Sequence, residues 1–125
     1  SMVLYVAAGG ALGAVGRYGV MNAIGAMFGH GFPFGTLIVN IAGSLILGAG
    51  IEASALVWSP SPEIRAMLVV GFLGAFTTFS AFSLDTVTLI TRGETVAAVM
   101  YIAASVVLSI GALWAGMAAT KILLT

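Results

Sequence analysis

Two rows of uncharged polar side chains are the first feature of this sequence that could do chemistry. Thr36, Asn40 and Ser44 stand four residues apart, and so do Tyr101, Ser105 and Ser109. Residues four apart share one face of a helix, so each set makes a stripe of neutral hydrogen-bond donors. Such a stripe suits a small polar or anionic passenger, since donors replace lost water without a fixed charge to trap it. A third constellation, Thr77-Thr78-Phe79-Ser80-Ala81-Phe82-Ser83, sets Phe79 and Phe82 three apart beside Ser80 and Ser83. The edge of an aromatic ring carries positive quadrupole charge, so phenylalanines lining a polar pore can meet an anion edge-on. The plainer uses of these residues are also open. Hydroxyls glue membrane helices together or bond back to their own backbone, and phenylalanine commonly faces lipid.

Composition narrows the chemistry. The 125 residues are 61% hydrophobic and 6% charged, with no net charge, and mean hydropathy is +1.19. Soluble domains carry about 25% charged residues, and eight charges could not cover a soluble surface of this size. A neutral chain implies no polyanion, so nucleic acid is not a partner. With no cysteine, disulfides, thiol catalysis and zinc-thiolate sites are excluded. No nucleophile-base pair or metal cluster stands out, so an enzyme is the least suitable reading. The chain also lacks a carboxylate in mid-span, which argues against a cation or proton relay. Gly9, Gly10 and Gly13 do not make a phosphate loop, because no strand precedes them and no Gly-Lys-Ser/Thr follows.

The charges fall at Arg17, Glu52, Glu63, Arg65, Asp85, Arg92, Glu94 and Lys121, leaving long apolar stretches between them. Crossing a hydrocarbon core takes roughly 20 apolar residues, which predicts a single all-α unit of four transmembrane helices. They are expected at about 3–27, 36–58, 64–90 and 95–121. Gly9, Gly13, Gly16 and Gly19 give helix 1 a face that another helix can approach closely. Pro33 ends any continuous helix. Ser61, Pro62 and Glu63 form a helix start of N-cap, first-turn proline and acid at the positive end. Weak helix formers cluster around Thr77, the middle of helix 3, and predict an interruption from Gly74 to Thr78. Breaks at membrane depth survive only where they are buried or line a cavity, and their freed carbonyls can coordinate cations. Arg17, alone within an apolar span, either snorkels or caps another helix's carbonyls.

Four spans put Arg65 and Lys121 on one side and Arg92 on the other, joined there by Arg17 if it lies near the membrane edge. The positive-inside rule needs an asymmetry to set orientation, and two against two supplies none. Insertion both ways would allow an antiparallel dimer.

Taken together, these segments resemble the Fluc (CrcB) family of fluoride channels. The resemblance runs through Gly9-Gly10-Ala11-Leu12-Gly13-Ala14, Arg17-Tyr18 and Gly35-Thr36-Leu37-Ile38-Val39-Asn40. Its most specific element is Thr77 to Ser83, which is similar to the family's TTFSTFS signature. It implies an antiparallel, dual-topology homodimer in a bacterial inner membrane, with two pores through which fluoride leaves the cytoplasm passively. The pore residues it implies are Phe79, Phe82 and Asn40, with the hydroxyl track Tyr101, Ser105 and Ser109, and Thr36 joins them as a pore candidate from the stripe it shares with Asn40. It also implies a structural Na+ at the dimer axis, held by backbone carbonyls of Gly74 and Thr77, and a structural role for Arg17. Two positions depart from the pattern: Ala81 stands where the signature has Thr, and Asp85 where the family has Glu. Rival readings are a small proton-coupled exporter of the small multidrug resistance type, a fluoride/proton antiporter, and a structural membrane subunit.

Overall fold

The computed structural model describes residues 1–125 and is helical throughout, without strands. Helix α1 (Met2–Phe28) and α2 (Phe34–Leu56) are each unbroken. A third stretch comprises α3 (Pro62–Arg65), a π-helical segment (Ala66–Leu73), α4 (Gly74–Phe76) and α5 (Phe79–Thr91). Helix α6 (Thr95–Leu124) closes the chain. Four stretches are long and apolar enough to cross a membrane: Met2–Phe28, Phe34–Leu56, Pro62–Thr91 and Thr95–Leu124.

Local sequence explains most of the ends. Ser61 caps α3, its Oγ accepting from the Ile64 N–H at 3.2 Å with Pro62 in the first turn. Gly29 and Gly93 take positive φ (78° and 80°) at the ends of α1 and of the turn before α6, a conformation cheap only for glycine. Helix α2 begins at Phe34 rather than Thr36, since Pro33 sits at the N-cap and the Leu37 N–H bonds its carbonyl. It ends at Leu56, two residues short of the expected Trp58. The π-helical segment was not foreseen, because it conserves the apolar run and alters only the backbone bonding.

Small residues set the packing. A methyl group on Gly71 would lie 2.6 Å from the Val6 carbonyl oxygen and 3.0 Å from the Gly10 nitrogen, so α1 and the third span meet backbone to backbone. Helices α2 and α6 meet the same way through Gly48 and Gly116. The molecule is therefore two close helix pairs laid side by side, with the polar stripes at the seam. At one end, Arg92 Nη2 donates to the Gly31 carbonyl (2.7 Å) and pairs with Glu94 (2.8 Å), tying the first loop to the third. There Leu37, Leu89, Ala98 and Tyr101 form a small buried core.

Candidate functional site

The helix after the π-helical segment stops at Phe76. Thr77 (φ −85°, ψ 158°) and Thr78 (φ −152°, ψ 118°) are extended, and helix resumes at Phe79. The expected interruption ran from Gly74 to Thr78; Gly74 to Phe76 are in fact helical, and only the two threonines leave the helix. Thr77 has fifteen residues of the Pro62–Thr91 span before it and fourteen after it.

Helix α2 brackets this point. Asn40 Oδ1 accepts from the Thr78 N–H at 2.7 Å, and Asn40 Nδ2 donates to the Thr78 carbonyl at 3.1 Å. One amide thereby satisfies both backbone polar groups of a residue that the helix has released. Gly43, one turn further along, leaves space that the Thr77 methyl fills. Thr78 Oγ1 caps the next helix by accepting from the Ala81 N–H at 3.1 Å. Arg17 reaches the same place from α1, its Nε donating to the Ala75 carbonyl at 3.0 Å. Of the two fates open to this arginine, capping another helix's carbonyl is the one observed. The Thr77 carbonyl accepts no hydrogen bond from the chain.

Beside the break lies an open cleft of about 410 Å³. Asn40, Phe79, Phe82, Ser105 and Ser109 line it, together with Gly74 and Thr77. Phe79 and Phe82 touch with ring centroids 5.4 Å apart, and Phe79 is 77% exposed. The hydroxyl oxygens of Ser105 and Ser109 are both buried and have no hydrogen-bond partner. Buried polar groups are nearly always paired, so two adjacent orphans on one helix face are unusual. Asn40 has one Nδ2 hydrogen beyond the bond to Thr78, since a primary amide carries two.

Thr36 and Tyr101 are placed differently. Both are essentially fully buried, and neither lines the cleft. Thr36 Oγ1 donates to Asp85 Oδ2 at 2.7 Å, and the Tyr101 hydroxyl donates to the same oxygen at 3.0 Å. The two stripes therefore split, with Ser105 and Ser109 unpartnered at the cleft and Thr36 and Tyr101 closing on a carboxylate. Tyr101 joins the regions through its ring, 5.2 Å from Phe82 and 5.5 Å from Phe32. Ser44 also lines the cleft.

The family model described as CrcB-like protein, Camphor Resistance (CrcB), matches residues 4–117. The chain belongs to the CrcB-like family. A Rhodospirillum centenum protein named fluoride-specific ion channel FluC is 51% identical over 117 residues, covering 94% of this chain and 93% of that one. The protein named fluoride-specific ion channel FluC 1 in Nitrobacter hamburgensis is 49% identical over 123 residues, 98% of each chain. A Shewanella amazonensis FluC is 47% identical over 114 residues, 91% of each. With this CrcB-like assignment and four spanning helices, the chain is a multi-pass membrane protein.

Sequence reasoning singled out Asp85 only as a departure from the signature. Its place opposite Thr36 and Tyr101 was readable in part, because Phe82 and Asp85 are three apart on one helix. What sequence could not show was that the two donors, 49 and 16 residues away, converge on it.

Proposed function

We propose that this chain is a fluoride-selective channel that lets fluoride leave the cytoplasm passively, and that it works as an antiparallel homodimer. The observation carrying this reading is the pair of buried, unpartnered hydroxyls Ser105 and Ser109 in a cleft edged by Phe79 and Phe82. Fluoride is a small, strong hydrogen-bond acceptor that holds its water tightly. Passage needs binding favourable enough to replace that water yet weak enough to release the ion. The two serine hydroxyls, the remaining Asn40 N–H and the aromatic ring edges supply donors without a full positive charge. The named relatives support the same ion, and theirs is a family of channels, not enzymes.

The cleft's openness supports the homodimer. The unbonded Thr77 carbonyl on this cleft would be costly against lipid, where an unsatisfied backbone group costs several kcal/mol. A second copy of the chain would cover it, and the near-even split of the flanking basic residues, Arg65 and Lys121 against Arg92, permits an inverted one. The structural Na+ belongs to this proposal. The Thr77 carbonyl is unbonded, and the Thr78 N–H that a continuous helix would direct to Gly74 is taken by Asn40. Carbonyl oxygens suit a hard cation, and no cluster of His, Cys, Asp or Glu offers it another home. Gly74 and Thr77 of both copies would hold the ion near the two-fold axis, where its charge would offset the unpaired carbonyls.

Purified protein in liposomes loaded with fluoride tests the reading. Fluoride efflux well above protein-free vesicles, with little chloride efflux, is expected. Equal rates for the two anions would overturn selectivity. Fluoride flux that requires an opposing proton gradient would replace the channel with an antiporter.

A further inference from the structure

A second hollow lies on the outside of the bundle, between α2 and the π-helical segment. It has a volume of about 310 Å³ and a lining that is apolar along its length, with Ile46, Ile51, Leu68 and Phe72 among its walls. Its outer end is different. Trp58 and Arg65, one on each side of the turn between the second and third spans, form the mouth. Both are exposed. Arg65 makes no ion pair; the single salt bridge in the chain is Arg92–Glu94. Glu63 stands two residues away, a spacing that does not place side chains on the same helical face.

Length makes the hollow specific. From Trp58 back to Ile46 is twelve residues, roughly 15–18 Å at about 1.5 Å per residue. That is about half of a hydrocarbon core some 30 Å thick. The hollow thus begins at the polar boundary, where tryptophan and arginine prefer to sit. It ends near mid-membrane, the depth reached by the acyl chain of one leaflet. An apolar slot one leaflet deep, with an unpaired guanidinium at its outer end, matches the two parts of one ligand class.

We propose that this groove holds one anionic phospholipid, its acyl chain between α2 and the π-helical segment and its phosphate on Arg65. The charge selects the headgroup, because a zwitterionic lipid brings its own cation to the same place. A single basic residue at an anionic membrane surface is expected to favour the charged lipid roughly fivefold. The inner end reaches Leu47, Val69 and Leu73, which also line the cleft of the candidate site. The bound chain would therefore abut the wall of that cleft.

Trp58 is a built-in reporter. Replacing the other tryptophan, the 74% exposed Trp114, with Phe leaves Trp58 as the sole indole. The full chain is then reconstituted in vesicles containing a minor fraction of phosphatidylglycerol or phosphatidylcholine brominated near the glycerol end of the acyl chain. Brominated phosphatidylglycerol is expected to reach half-maximal quenching of Trp58 at roughly one fifth the mole fraction of brominated phosphatidylcholine. Arg65→Gln is expected to equalise the two lipids. Gly50→Leu tests the groove itself, since Gly50 lines it and a Cβ there meets nothing within 4 Å. Filling the slot should abolish the preference while Arg65 is intact. Fluoride efflux from the same vesicles checks that each variant is folded. Equal quenching by both lipids in the parent protein would overturn the headgroup assignment. Preference that survives Gly50→Leu would reduce the effect to surface charge and overturn the groove. No quenching by either lipid would mean that the partner copy covers it.

Discussion

Replacing Asn40 with Ala removes one amide and strands two backbone groups. The Thr78 N–H loses its acceptor at 2.7 Å and the Thr78 carbonyl loses its donor at 3.1 Å. Neither can turn to the helix, because Thr77 and Thr78 are extended. Leaving a buried polar group unpaired costs about 1–3 kcal/mol. The site is half-buried and borders an open cleft, so the lower part of that range applies to each group. The loss is then about 2–4 kcal/mol in unfolding free energy. Asn40→Asp separates the two bonds: its carboxylate still accepts from the Thr78 N–H but, ionised, donates nothing to the carbonyl. It is expected to lose less stability than Asn40→Ala, and to lose fluoride flux because it sets a negative charge beside the serines. Unfolding by a denaturing detergent, followed by loss of helical circular dichroism, measures stability, and liposome efflux measures flux. A change within about 0.5 kcal/mol for Asn40→Ala, typical of an unengaged surface position, would show that the amide does not hold the break.

Phe79→Ile and Phe82→Ile keep apolar volume but remove the ring edges, so each is expected to suppress fluoride efflux while dimer assembly, read by crosslinking, persists. Unchanged efflux in both would remove the aromatics from the pathway. Two or three lysines added after Thr125 turn a near-even flanking charge count into a strong bias and are expected to fix one orientation and abolish activity, with rescue by co-expression of an oppositely biased copy. Full activity of the singly biased variant would sink the antiparallel dimer. Gly74→Leu starts from a Cβ that meets only ordinary contact within the chain, 3.6 Å from the Val69 carbonyl oxygen. It is expected to lower flux by crowding the proposed axis and its sodium, as is replacing sodium with a large organic cation; flux indifferent to both would remove the cation.

What was legible in the sequence was what distance along the chain decides. Four apolar spans follow from where eight charges fall, and the kinship of the Ser105 and Ser109 hydroxyls follows from their four-residue spacing. The composition around Thr77 signalled weak helix, but composition acts on a window and cannot say which peptide opens. That is decided by Asn40, 38 residues away, which offers Thr78 the hydrogen bonds a helix would have offered. The same holds for Thr36 and Tyr101. Spacing placed them with the serines, yet Asp85 is a stronger acceptor than anything on their own stripe and draws both aside. The π-helical segment Ala66–Leu73 left no sequence signal, since an apolar run reads alike whichever carbonyl each N–H finds.

The pairing of α1 with the third span has a consequence for how the chain is made. Met2–Phe28 is the least apolar of the four spans, with a mean hydropathy of 1.2 against 1.8 to 2.3 for the others, and it carries Arg17. The acceptor for that guanidinium, the Ala75 carbonyl, is 58 residues further on. At about 5–20 residues per second, a ribosome takes roughly 3–12 seconds to deliver it. For that interval the first helix has neither its glycine-to-glycine neighbour nor a partner for its charge. Over the same interval α2 is made ahead of its own close-packed partner, α6. Biogenesis of this small protein is therefore a matter of holding elements in reserve, with the first helix packed and its charge answered only once the third span has arrived.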